Sequence, residues 1–320
     1  MGVQDSVFAI IQETLENDDQ TLNVSTLCEI AGVSRSGYYR WVKAADVRKV
    51  REEQGQRDFQ LILDAYNYRG YKKGVRSIHM RLLHTGIVMN LKKIRRLMRK
   101  YNLNCPIRKA NPYRRMAKAL KSNNVADNLL NREFEAHGAR VVLLTDITYI
   151  HFKDGFLYLS TILDAFTKEA LAHVLSDSLE EDFVLKTVMQ MKENYGVSLT
   201  AETMIHSDQG CHYTCIRFIE LVKDSGLRQS MSRRGNCWDN APQESFYGNM
   251  KDELADKMAI WETFEDAQRD IDDWFDYYNN ERYQWQLAKL SPRQYYKYVT
   301  TGEYPLPCRP LEETSRGSAP

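Results

Sequence analysis

A chain of 320 residues, 43% of them hydrophobic, exceeds the usual length of one domain, so two or three units around at least one sizeable core are expected. No stretch approaches the roughly 18 apolar residues of a membrane span, the first residues lack the basic-then-apolar order of a signal peptide, and six scattered cysteines fit reduced thiols better than a disulfide framework. These features argue against membrane-embedded and disulfide-stapled classes, and the cytoplasm is the expected compartment.

The net charge of +1 hides an asymmetry. Residues 1–125 hold 24 Lys and Arg against 11 Asp and Glu, and the remainder 20 against 32. A front half so basic suggests contact with a polyanion, while the acidic remainder has carboxylates to spare for divalent cations.

In chain order, Ser25 to Trp41 reads as a short helix opened by Ser25, a turn at Gly32 and a second helix from Ser34, the order of a helix-turn-helix. The second helix carries Ser34, Arg35, Tyr38 and Arg40, polar and aromatic groups suited to phosphates and base edges; the alternative is a packing module that binds nothing. A second helical unit from Asp58 to Leu103 alternates apolar faces, with Asn90 placed to cap a helix whose outer face is Lys92, Lys93, Arg95, Arg96, Arg99 and Lys100. Charged helix faces are ordinarily just solvated, but this one contains no acid, which favours backbone contact with DNA. Residues 105–133 are basic and irregular, with Arg114 and Arg115 among them, and read as a linker able to track along phosphates.

Val141 to Ile150 is an apolar run carrying one carboxylate, Asp146, and reads as a strand buried on both faces. Such a carboxylate needs a cation or hydrogen bonds to satisfy it. Asp-Gly at 154 and 155 signals a hairpin, and three consecutive antiparallel strands are followed by helix, strand, helix, strand and helix, the order of the ribonuclease H-like fold. Asp208 follows the fourth strand with 61 residues between it and Asp146, and Glu244 opens the last helix with 35 residues between it and Asp208. Three acids converging from two strands and a helix can hold two Mg²⁺ or Mn²⁺ ions and drive a two-metal phosphoryl transfer. Lys251 lies two helical turns after Glu244 on the same face and can hold a phosphate beside them. Tyr247, one turn on, shares roughly that face and is also expected near DNA. His206, Cys211, His212 and Cys215 match no zinc-ligand spacing and are expected to be packing residues.

Thr145 to Ile150, His206 to Gly210, Gly235 to Ala241, Glu244 to Phe246, Lys251, Gly74 to Leu103, and Tyr278 to Arg282 with Ser291 and Pro292 together resemble the OrfB-type transposases of the insertion-sequence-three (IS-three) family, in the retroviral integrase superfamily. The resemblance covers most of the chain. Leu143, where many relatives have Trp, and Gln284, near a common His, depart from it. It implies an α/β ribonuclease H-like catalytic domain, with a mixed five-stranded sheet, preceded by all-α helix-turn-helix units. Asp146, Asp208 and Glu244 would be the metal ligands of a DDE transposase, Lys251 would contact DNA, and two Mg²⁺ or Mn²⁺ ions would be held per site. Its partners would be double-stranded DNA, namely the element's terminal inverted repeats and target, a second protomer at least, and an upstream-frame product in some members; bacterial and nucleoid-associated when bound to DNA is the location implied. An inactive DNA-binding regulator and a nuclease cutting RNA in hybrids are the competing readings.

The expected domains are a helix-turn-helix unit at 1–57, a second at 58–104, a linker at 105–133, the catalytic domain at 134–300 and a tail at 301–320. A fragment from about residue 134 is accordingly expected to fold alone.

Overall fold

The computed structural model describes residues 3–17, 23–105, 137–232 and 241–307. The basic linker with Arg114 and Arg115, the motif through Asp239 and most of the C-terminal tail lie outside the described residues. The chain forms two compact units, one of residues 1–64 with 94–103, the other of residues 65–93 with 104–320.

In the first unit, helices α1 (Val3–Asn17), α2 (Val24–Ile30) and α3 (Arg35–Lys43) enclose Ile11, Cys28 and Tyr38. The cap of α2 is Asn23, whose side chain accepts from the Thr26 N–H, and not Ser25. Ser34 caps α3 through the Gly37 N–H, and Gly32 between the two helices takes a positive φ of 67° that favours glycine. Helix α4 (Ala45–Asn67) runs unbroken across the boundary expected at residue 57. Helix α6 (Leu91–Lys100) has an acid-free outer face, and Asn90 does accept from the Lys92 N–H at its start. Tyr101, just beyond α6, stacks on Phe59 at 4.3 Å between ring centroids and donates to Glu52.

The second unit opens with a segment that packs on residues distant in sequence. Tyr71 is buried, its hydroxyl donating to Asp273 at 2.8 Å, and Arg69 pairs with Asp273 and Glu281 at 2.8 and 2.6 Å. Helix α5 (Val75–His84) follows. The remainder is built on a mixed five-stranded sheet: β1 (Val142–Phe152), β2 (Gly155–Asp164), β3 (Ala170–Ser176), β4 (Met204–Ser207) and β5 (Arg228–Met231), in the order β3-β2-β1-β4-β5. β1 and β3 pair antiparallel with β2, whereas β4 is parallel to both β1 and β5. Helices α7 (Asp182–Tyr195) and α9 (Ile216–Asp224) cover one face through Phe183, Val188, Phe218 and Val222. Helices α10 (Ala241–Met258) and α11 (Phe264–Asn280) cover the other through Phe246, Met250, Ile271 and Trp274. The result is the three-layer ribonuclease H-like arrangement.

Local chemistry moves some boundaries. Phe152 pairs with Gly155, so the hairpin loop is Lys153 and Asp154, with Lys153 taking the positive φ of 48°; the Asp-Gly signal points one residue too late. The helix expected after Tyr213 is two pieces, α8 (Cys211–Thr214) and α9, because Cys215 is extended between them. Helix α12 (Pro292–Thr301) closes the fold behind a Ser291–Gln294 capping box. Asp164 is buried and accepts from Arg140 at 3.2 Å, while Glu169 takes the other end of that guanidinium at 2.6 Å, tying the β2–β3 turn down. Among the described residues no helix is long and apolar enough to cross a membrane.

Candidate active site

β1 is the middle strand, and its first residues are buried because both faces of the sheet are covered by helices. Its parallel pairing with β4 ends at Leu144 opposite His206. Two residues further along each chain stand Asp146, partly exposed, and Asp208, exposed just past the end of β4. A parallel register thus sets the two acids at one level of the sheet. Each is oriented locally: Asp146 Oδ1 accepts from the Ile147 N–H at 2.9 Å, and Asp208 Oδ1 from the Gly210 N–H at 2.9 Å. A β-carbon on Gly210 would lie 2.9 Å from that same oxygen, so glycine is required by the closeness of the carboxylate.

Helix α10 is fastened along β1. Gln243, Tyr247 and Lys251 recur every four residues and form one stripe of the helix. Gln243 Nε2 donates to the Leu144 carbonyl at 2.8 Å, Tyr247 Oη to that of Asp146 at 2.5 Å, and Lys251 Nζ to that of Tyr149 at 2.6 Å. Glu244, next to Gln243, is therefore carried at the level of residues 144–146, exposed in the first turn of the helix. Among the described residues no Lys or Arg pairs with Asp208 or Glu244.

Beneath these acids lie two buried phenols, Tyr247 and Tyr213. Burial first, and then the negative field of Asp146, pushes both well above the ordinary tyrosine range; Tyr247 and Asp208 add to the effect on Tyr213. Both remain protonated at neutral pH, and the Tyr247 hydroxyl also meets Thr161 Oγ1 at 2.7 Å. Tyr247 is thus a wall of the site and not a group facing DNA. Its signal in the sequence was the four-residue recurrence with Gln243 and Lys251, two polar side chains that a purely apolar helix face would lack.

The other candidates are dispersed. Arg35, Arg40, Lys92, Arg95 and Arg96 are exposed. Ser34 uses its hydroxyl as a helix cap, and Tyr38 is buried with its hydroxyl donating to Gln12 at 2.6 Å. A phenol so enclosed cannot reach a duplex in this arrangement, which removes Tyr38 from the contact set. His206 Nδ1 meets Ser230 Oγ at 2.9 Å and His212 Nε2 the Leu179 carbonyl at 2.8 Å. Among the described residues no three His, Cys, Asp or Glu side chains are gathered closely enough to hold an ion by themselves. Leu143 is fully buried against α7 and α9 residues, and Gln284 bridges to Leu290 through the backbone.

Family models described as integrase core domain match residues 136–237 and 225–292, and one described as an HTH-like domain matches residues 53–111. The chain is 30% identical over 268 residues to the insertion element IS600 uncharacterized 31 kDa protein of Shigella sonnei, covering 83% of this chain and 96% of that protein. It is 34% identical to the transposase for insertion sequence element IS904 of Lactococcus lactis, covering 68% and 85%, and 25% identical to transposase InsF for insertion sequence IS3A of Escherichia coli K12, covering 74% and 81%. Among solved structures, the catalytic core of BIV integrase aligns with 50% of this chain and 96% of its own at 17% identity and a TM-score of 0.40. That of HTLV-2 integrase in complex with magnesium aligns with 49% and 97% at 14% identity and a TM-score of 0.39. With an integrase core over the sheet that carries the acids, an HTH-like segment before it and transposases as its relatives along most of its length, the chain belongs to the insertion-sequence transposases of the IS-three family, in the retroviral integrase superfamily.

Proposed function

We propose that the protein binds the terminal repeats of its insertion sequence, cuts the DNA there and joins the freed ends to a target through Asp146, Asp208 and Glu244. The observation that carries this reading is the meeting of two registers: the β1–β4 pairing that sets Asp146 beside Asp208, and the α10–β1 ladder that holds Glu244 at the same level. The donors are all carboxylate oxygens, and among the described residues Asp208 and Glu244 meet no arginine or lysine. Such a set suits hard divalent cations, Mg²⁺ or Mn²⁺, which take few protein ligands and complete their shells with water and phosphate oxygens. When bound, a pair of these ions supplies charge neutralisation at the attacking and leaving oxygens of an in-line displacement.

The chain's own residues do the rest. Gly210 and the Ile147 N–H aim the two aspartates, and Gln243 with Tyr247 sets the height of Glu244. Lys251, held on the Tyr149 carbonyl at the far end of the same stripe, is placed to exchange that carbonyl for a phosphate of the bound strand. Arg35 and Arg40 on α3, and Lys92, Arg95 and Arg96 on α6, with Arg114 and Arg115 of the linker, are the proposed duplex contacts. Since two ends must be joined, at least two protomers act on the DNA.

The test is a metal-dependent cleavage and strand-transfer assay on end duplexes. Asp146→Asn, Asp208→Asn and Glu244→Gln are each expected to abolish both steps in Mg²⁺ while end binding persists. One of the three retaining near wild-type joining would sink the assignment.

A further inference from the structure

Two stretches prominent in the sequence take no part in the carboxylate site: Gly74 to Ile78, and the segment that follows Tyr278. They meet at a cavity of about 270 Å³, between the first turn of α5, residues 281–286 and the side of α10 bearing Asn249 and Glu253. Its wall carries Lys72, Lys73, Arg76, Arg81 and Arg282 against two carboxylates, Glu253 and Glu281.

Both carboxylates are already engaged. Glu253 is gripped by Arg282 at 2.9 Å and accepts from Trp274 Nε1 at 2.9 Å. Glu281 takes Arg69 at 2.6 Å and the Tyr68 hydroxyl, with Arg81 at 3.8 Å. Lys73 is also engaged, donating to the carbonyls of Tyr66, Tyr68 and Tyr71.

Arg76 and Lys72 are left for a ligand. Arg76 is exposed, meets no carboxylate among the described residues, and stands 5.5 Å from the centre of the Trp285 ring. Among the described residues the carboxylate that Lys72 meets is Asp256, at 3.4 Å with its side chain 81% exposed, a pairing worth little in water. Helix α5 adds to the imbalance. Its cap position is Gly74, which offers no side chain, its first turn holds no acid, and the space where a β-carbon would stand on Gly74 is open. The first N–H groups and the positive end of the helix dipole are thus left unanswered beside Arg76, Lys72 and the Ser77 hydroxyl. Uncapped N–H groups, a guanidinium, an ammonium and a hydroxyl around one cavity are the donors that recognise a phosphate.

We propose that this cavity is a second phosphate-binding site, occupied by a backbone phosphate of the strand engaged at the carboxylates; the identity of that strand rests on the function proposed above. Asn249 and Glu253 lie five and nine residues beyond Glu244, about 7 to 14 Å along the axis of α10 and about 140° to 180° round it, so the strand crosses the outer side of the helix between the two sites. With a helix about 10 Å across the separation is about 12 to 17 Å, and at a rise of about 3.4 Å per nucleotide the phosphate is about four to five nucleotides from the reacting one.

The experiment uses the full-length protein in EDTA, with an end duplex and with inorganic phosphate as probes. Arg76→Ala and Lys72→Ala should each flatten the log–log salt dependence of duplex binding by about 0.9, so that between about 50 and about 200 mM salt the wild type loses about threefold more affinity than either variant. Arg76→Lys should restore most of that slope, because the charge remains. A duplex with one neutral methylphosphonate about four to five nucleotides from the cleaved bond should bind the wild type more weakly, with no further loss in Arg76→Ala. Line broadening of inorganic phosphate by wild type but not by Arg76→Ala, with duplex binding unchanged, would keep the site and assign it to a free anion instead of the strand. Unchanged salt slopes, a silent methylphosphonate and no phosphate broadening would overturn the site. If wild type still cut and joined DNA in Mg²⁺, the transposition reading would survive that result; if it did neither while the phosphate signals depended on Arg76, the reading would fall and the site remain.

Discussion

A β-carbon on Gly210 would displace the carboxylate of Asp208, whose Oδ1 lies 2.9 Å from where that carbon would stand. Because the backbone there has φ −64°, alanine is conformationally permitted, and the folded state should change by less than about 1 kcal/mol. Gly210→Ala is therefore expected to leave the melting temperature almost intact while lowering strand transfer by about 10²-fold, the scale of a misplaced reacting group; loss of activity only in proportion to unfolding would refute it. Lys73 offers a pH test. Burial pushes its ammonium from 10.5 down to about 8. Between those values the unfolded chain binds a proton that the folded chain lacks, so this group makes stability rise with pH across pH 8 to 10.5 and contributes no slope below it. Urea melts of wild type and Lys73→Met should diverge over that window, and parallel curves would refute the shift. At this scale the placement of the three acids, in β1, just past β4 and in the first turn of α10, was legible from the apolar runs around them. The tyrosines were not: the ring and hydroxyl of Tyr38 and Tyr247 suit a core or a ligand equally, and only Gln12, Thr161 and the Asp146 carbonyl decide between them.

At the scale of elements, α10 matters through its height on β1. Gln243 is fully buried, and Gln243→Leu removes its bond to the Leu144 carbonyl, a change expected to cost about 1 to 3 kcal/mol. Since the neighbouring residue is Glu244, joining should fall further than the loss of folded protein explains. Thr263 supplies the contrast. It caps α11 in a box with Asp266, with both bonds at 3.1 Å, so Thr263→Ala should cost about 1 kcal/mol and spare joining below the melting transition. Thermal melts paired with strand-transfer rates distinguish the two variants; equal rates per folded molecule would show that the α10 ladder is structural only. The order of strands and helices could be read from periodicity, whereas ends set by one residue could not. Gly196 ends α7 in a right-handed conformation, with a 3₁₀ turn after it, in place of the left-handed cap that glycine commonly provides.

For the whole molecule, the expectation that a fragment from residue 134 folds alone needs revision. Residues 65–93 belong to the same compact unit as the sheet. Removing them takes Tyr71 out of the core beside Tyr277 and leaves Asp273 and Glu281 without Arg69. Loss of one such buried aromatic costs about 3 to 5 kcal/mol, so a fragment starting at residue 65 should melt well above one starting at 134, and equal melting temperatures would contradict this. Charge asymmetry showed which half of the chain was basic, but not that its helical segments divide between two units, because composition carries no record of which residues touch.

The Arg69–Asp273 bond spans 204 residues, and that span is also a delay. At about 5 to 20 residues per second of synthesis, Arg69 and Tyr71 leave the ribosome about 10 to 40 s before α11 exists to receive them. Residues 94–103, which complete the other unit, are made during that interval. The helical unit can therefore finish first, while the segment that opens the catalytic unit waits for Asp273 through about two thirds of translation, and a nascent chain cut short before residue 273 carries the basic helices without a closed core.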